Sequence, residues 1–176
     1  MKIVAIVPIK LNNQRFPGKN LKKLGNKTLV EIICDKLVSI QNKSNRTLIN
    51  EIYCFCSDPE IQKFLPKDVI FLQRSETLDS NTTKAAEIYT AFKSLVKSDY
   101  YVLCHATTPF ITENTIKRCI MSGTGCNNDS AVSVETIQKY CFYQNKPMNF
   151  STTNIQRTQD IEPIYVINSG VFVFQS

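Results

Sequence analysis

The feature that most constrains this fold is the opening of the chain. Ile3 to Ile9 is an apolar run that hardly alternates, and it runs straight into a polar, basic loop over residues 10–20. An alternating strand has one wet face, whereas a run without alternation is buried on both faces. That points to a central strand of a parallel sheet covered on either side by helices. The loop carries three cations, Lys10, Arg15 and Lys19, beside Pro17-Gly18, and a helix-like segment follows at Thr28. Strand, basic loop, helix is how an α/β protein presents a phosphate site at the carboxyl end of its first strand.

The remaining chain continues the alternation. Thr28 and Glu31 have capping-box spacing, and Leu29, Ile32, Ile33, Lys36, Leu37 and Ile40 mark a mostly apolar helical stripe. Glu51–Cys56 reads as a second buried strand. Asp58 as N-cap and Pro59 at the first helical position predict a short helix through Leu65, and Val69–Leu72 a third strand. A long polar loop, 73–82, precedes a helix from about Thr83 to Val96. Tyr100–Cys104 is a fourth strand, which delivers His105–Phe110 into a turn, and Thr112 caps a helix through about Met121. Ser130–Glu135 is a fifth strand, 136–163 lacks clear periodicity, and 165–167 and 170–174 are extended.

This order predicts one domain over 1–176: a three-layer α/β/α arrangement with a mostly parallel sheet. Ligands bind such sheets beyond the carboxyl ends of the strands. Three loops qualify: 10–20, 73–82 and 105–110.

Composition narrows the function. With 43% hydrophobic and 20% charged residues the chain is globular, not disordered. No apolar stretch approaches the ~20 residues that span a bilayer. Ile3–Ile9 meets a basic loop without a small-residue cleavage site, so no signal peptide is read and a cytoplasmic location is expected. Seven cysteines, an odd number without paired spacing, fit buried thiols in a reducing compartment; Cys104 adjoins the third loop. One histidine and no CxxC argue against structural zinc.

The net charge of +6 is uneven. Residues 1–46 hold ten Lys/Arg against Glu31 and Asp35, a balance of +8, and the remainder balances at −2. A basic N-terminal cleft favours a polyanion, either a nucleoside triphosphate or a nucleic acid. The aromatic residues lie in predicted strands and helices, not among the basic ones, which disfavours nucleic acid. Pro17-Gly18 turns the loop and lets backbone N–H groups approach a ligand. The Walker pattern is absent, because no Gly-Lys-Ser/Thr occurs.

Val7-Pro-Ile-Lys10-Leu-Asn-Asn-Gln-Arg15-Phe-Pro-Gly-Lys19-Asn20 resembles the N-terminal signature of the cytidylyltransferases that activate acidic sugars, the CMP-sialic-acid and CMP-KDO synthetases. Three further segments resemble that family's motifs in order. They are Arg74-Ser-Glu-Thr-Leu-Asp-Ser-Asn81-Thr82, Leu103-Cys-His105-Ala-Thr-Thr108-Pro109-Phe110, and Arg157-Thr-Gln159-Asp160 with the strand around Asn168-Ser-Gly170. The resemblance implies a Rossmann-like nucleotidyltransferase fold and CTP-dependent transfer. The anomeric hydroxyl of a nine-carbon or eight-carbon sugar acid attacks the α-phosphorus, and magnesium-bound pyrophosphate leaves.

It also implies roles. Lys10 and Lys19 hold the triphosphate with Arg15 adding charge, and Asn20 contacts the nucleotide. Arg74, Asn81 and Thr82 hold cytosine and ribose, while His105, Arg157 and Gln159 contact the sugar. Residues 136–163 resemble a segment that crosses a homodimer interface.

The chain departs from the family pattern in having Lys10 for arginine, Asn81 for aspartate and His105 for glutamine. The family's metal-binding Asp-x-Asp segment falls beyond Ser176, so no magnesium ligand is assigned here and impaired turnover is expected. A truncated, non-catalytic nucleotide-binding relative is the alternative expectation, ahead of a basic nucleic-acid-binding module.

Overall fold

The structure, a computed structural model, describes residues 1–14, 16–43, 48–125 and 127–176. Its elements follow in chain order. Strand β1 spans Ile3–Ile9, the short hairpin strands β2 and β3 span Lys23–Leu24 and Lys27–Thr28, and helix α1 spans Leu29–Lys43. Then come β4 (Glu51–Cys56), β5 (Ile70–Gln73), α2 (Ala85–Leu95), β6 (Tyr100–Cys104) and α3 (Glu113–Gly123). The last elements are β7 (Ser130–Ile137), β8 (Phe142–Tyr143), β9 (Lys146–Pro147) and β10 (Ile164–Gln175).

Six strands form the main sheet in the order β5-β4-β1-β6-β10-β7. β1 pairs in parallel with β4 on one side and β6 on the other, β4 pairs in parallel with β5, and β10 runs antiparallel to β6. As read from its lack of alternation, β1 is buried on both faces. Ile3, Ala5, Val7 and Ile9 enter one core with Val30, Ile33 and Leu37 of α1 and Ile116 and Ile120 of α3. Val4 and Ile6 enter a second core with Phe92 of α2, Phe55 and Tyr101. Helices therefore cover both faces, which gives the mostly parallel α/β architecture expected.

Local signals account for the helix starts. Thr28 N–H donates to the Glu31 carboxylate at 2.6 Å and Glu31 N–H donates to Thr28 Oγ1 at 3.3 Å, a complete capping box ahead of α1. Thr112 Oγ1 likewise accepts from Thr115 N–H at 3.1 Å ahead of α3. α3 then approaches β10 so closely that a Cβ on Gly123 would lie 2.8 Å from a Val173 methyl. The helix predicted after Asp58 is a 3-10 segment, Pro59–Phe64, capped by Asp58 as read. A stretch that short gains little from α-helical bonding, and Pro59 tightens it.

The chain divides into two compact units. The first comprises 1–132 and 169–176, and the second comprises 133–168. The sequence reading takes 1–176 as one domain; the aperiodic segment 136–163 falls inside the second unit. That unit is organised by side-chain bonds to backbone. Asn149 Nδ2 donates to the carbonyls of Lys139 and Glu162, both at 2.9 Å, and Gln138 Nε2 donates to those of Thr158 and Ile161. The β8–β9 turn places Gln144 and Asn145 at positive φ, 48° and 62°.

Candidate active site

The strand order reverses at β1. The chain passes from β1 outward to β4 and β5, then returns to place β6 on the other side. A crevice opens beyond the carboxyl ends of strands at such a point. In the first unit a cleft of about 650 Å³ occupies it, lined by residues from all three predicted loops and from α2.

The first loop begins at Lys10 and is closed by Asn20. Asn20 is buried at 5% exposure, and its Nδ2 donates to the Lys10 carbonyl at 2.9 Å. Gly18 adopts φ 65°, a left-handed conformation glycine tolerates at no steric cost, and a 3-10 turn Lys19–Leu21 follows. Lys19 is thereby fixed at the cleft, together with Asn13, Gln14 and Phe16. Arg15 lies outside the described residues.

The second loop is built around an acid. Arg74 N–H continues the sheet by donating to the Cys56 carbonyl at 3.0 Å. A 3-10 turn over Glu76–Asp79, capped by Ser75, then brings Asp79 back against Arg74. Arg74 Nη2 donates to Asp79 Oδ1 at 2.5 Å, and Ser57 Oγ donates to Asp79 Oδ2 at 2.5 Å. The Arg74 side chain is 2% exposed, its guanidinium sits 5.9 Å from the Phe55 ring centroid, and its Nε is buried without a hydrogen-bond partner. Lys10 Nζ reaches across to donate to the Asp79 carbonyl and, at 3.3 Å, to Asn81 Oδ1.

The third loop carries His105. Thr108 Oγ1 donates to the His105 carbonyl at 2.9 Å, and Lys36 Nζ of α1 donates to the carbonyls of Pro109 and Ile111. The His105 ring meets Phe172 edge-on at 6.3 Å between centroids. Burial, and secondarily the charge of Lys19, holds its pKa below the ordinary histidine value, so the imidazole is neutral near pH 7.

Lys10, Lys19, Arg74, Asn81 and His105 thus line one cleft. Asn20 lies beneath it as a brace. Thr82 is exposed and shares a hydrogen bond with Ser80 at 2.8 Å, while Thr83 lines the cleft. Arg157 and Gln159 belong to the second unit, where both are exposed, and Arg157 Nε pairs with Asp160 at 2.7 Å. Cys104 is fully buried with its thiol pKa pushed up, a packed core residue.

Sequence reasoning missed Asp79 and Ser57, and it assigned no site role to Ile88 and Tyr89 of α2, both of which line the cleft. Leu78-Asp79 within the second motif was the available signal.

The donor set does not fit a magnesium site. Among the described residues no three His, Cys, Asp or Glu side chains are grouped to hold a metal. Asp79, the acid beside the cleft, has both oxygens engaged by Arg74 and Ser57. Among the described residues, no helix is long and apolar enough to cross a membrane.

Solved structures share this fold. A CMP:2-keto-3-deoxy-manno-octonic acid synthetase complexed with CTP superposes with a TM-score of 0.65 at 13% identity, over 99% of this chain and 74% of that one. The bifunctional IspDF from Campylobacter jejuni gives 0.67 at 16%, over 99% and 41%. The 4-diphosphocytidyl-2C-methyl-D-erythritol synthase from Anaerococcus prevotii DSM 20548 gives 0.62 at 13%, over 99% and 70%. No curated protein sequence matches the chain. The sequence itself matches the cytidylyltransferase family over residues 4–173, a span that contains every loop of the cleft, and the chain belongs to that family.

Proposed function

We propose that the cleft binds CTP and that the chain transfers its cytidylyl group to an acidic sugar of the sialic-acid or KDO type. The observation that carries this reading is the meeting of Lys10, Lys19, Arg74, Asn81 and His105 on one cleft at the carboxyl ends of the strands. Two lysines beside a triphosphate offset the charge that otherwise repels a nucleophile from phosphorus. Among the described residues neither lysine stands in an ion pair, so their charge is available to a ligand.

In the reaction the anomeric hydroxyl of the sugar forms a bond to the α-phosphorus, and the bond from that phosphorus to pyrophosphate breaks. Neutral His105 takes the hydroxyl proton as a weak base, its pKa lowered by burial and by Lys19. Lys10 and Lys19 hold the phosphates through displacement, while Arg74, Asn81 and Thr82 hold the nucleoside. Arg157 and Gln159 grip the sugar carboxylate and tail. Among the described residues no carboxylates are grouped to hold the magnesium that the resemblance implies.

The second unit exposes Tyr140, Phe142, Tyr143 and Met148, which supports the reading of 136–163 as a homodimer surface. Incubation with CTP and a panel of nine- and eight-carbon sugar acids tests the proposal. Pyrophosphate release matched by CMP-sugar is expected with at least one acid. CTP hydrolysis alone, or no turnover with any acid, removes the sugar-transfer reading.

A further inference from the structure

Asp79 joins three strand ends through one residue. Its carboxylate takes Arg74 from the loop after β5 and Ser57 from the end of β4, while its carbonyl takes Lys10 from the end of β1. The two cations are treated differently. Arg74 is buried and charge-compensated, whereas among the described residues Lys10 donates to neutral oxygens, the Asp79 carbonyl and Asn81 Oδ1. An acid at 81, at 3.3 Å from the Lys10 ammonium, would pair with Lys10 and cancel its charge over the cleft. With Asp79 carrying the acid and Asn81 an amide, the negative charge goes to Arg74 and Lys10 keeps its own.

We infer that Asp79 is a positioning residue that fixes Arg74 in the cleft wall for the nucleoside, and that the Asp79/Asn81 arrangement reserves Lys10 for the phosphates. This rests on the reading of the cleft as a CTP site. The Asp79 carboxylate, held on both oxygens, sets the angle of the guanidinium, and Phe55 supports its face. Loss of the carboxylate charge loosens the guanidinium and so affects the nucleoside, which CTP and CMP share. A charge placed at 81 affects the phosphates, of which CTP has more.

Calorimetric titration with CTP and with CMP separates the two effects. Asp79→Asn is expected to weaken both ligands by the same factor, about tenfold. In an Arg74→Met background the same change is expected to do nothing further, because Asp79 acts through Arg74. Asn81→Asp is expected to weaken CTP about tenfold more than it weakens CMP, because Asn81 also meets the nucleoside that both ligands share. Should Asp79→Asn fail to fold, Ser57→Ala takes its place, with a smaller loss that also vanishes beside Arg74→Met. An Asp79→Asn loss that persists in the Arg74→Met background, or an Asn81→Asp loss equal for both ligands, overturns the inference. Absence of CTP binding by the unsubstituted chain overturns the CTP reading, and the inference with it. CTP binding that Asp79→Asn leaves unchanged overturns the inference alone.

Discussion

The Asn20 amide donates to the carbonyl oxygen of Lys10 at 2.9 Å, so the last residue of the basic loop is bonded to its first. This closes the loop at its base and fixes both cleft lysines relative to β1. Asn20→Ala removes the donor and leaves the half-buried Lys10 carbonyl without that partner, a change that costs about 1 kcal/mol. Denaturant unfolding is expected to show that loss together with weaker CTP binding. An unchanged midpoint with weakened CTP binding would instead assign Asn20 to the ligand.

Lys19 follows the left-handed Gly18 and is presented to the cleft by backbone geometry. Lys19→Ala is expected to lower CTP affinity at least about a hundredfold, the scale of one charge-assisted phosphate contact. Arg157→Ala is expected to leave CTP affinity unchanged and raise KM for the sugar. Equal effects of both variants on CTP would remove this division of roles.

His105 links pH to stability. Its folded pKa is held below the unfolded value by burial first and by Lys19 second. The unfolded chain therefore takes up the proton first as pH falls. The stabilisation from the neutral imidazole is fully present above about pH 6.5 and is lost as pH falls through the folded value. The difference in unfolding free energy between the chain and His105→Gln is expected to shrink as pH is lowered from about 7 to 5. A difference that stays constant across that range contradicts the assignment.

Phe92 anchors α2, the helix that gives Ile88 and Tyr89 to the cleft. It is 1% exposed and meets Tyr53, Phe55 and Tyr101 edge-on at 5.4–6.0 Å. Phe92→Ala is expected to cost about 3–5 kcal/mol in unfolding free energy. A cost under about 1 kcal/mol would mean that α2 is not held by this core.

What the sequence made legible was local or periodic. The Thr28–Glu31 cap spans three residues, the β1 run declared its two buried faces by failing to alternate, and each loop followed directly from a recognisable strand end. The Asp79 network was not legible, because Ser57 lies 22 residues away and the approach of Arg74 depends on a 3-10 turn. The second unit hid for a related reason. Asn149 and Gln138 reach carbonyls 10 to 23 residues distant, and such bonds leave no hydrophobic period to read. The roles given to Arg157 and Gln159 came from the motif alone, since both side chains are exposed in that unit.

The most direct test is a titration of CTP, with ATP and GTP as controls, into the chain and into a Lys10→Met/Lys19→Met variant shown by its melting curve to be folded. One CTP per chain, preferred over the purine nucleotides, is expected, with loss of that binding in the double variant. No CTP binding by the unsubstituted chain, or equal affinity in the variant, would contradict a CTP site built on these lysines.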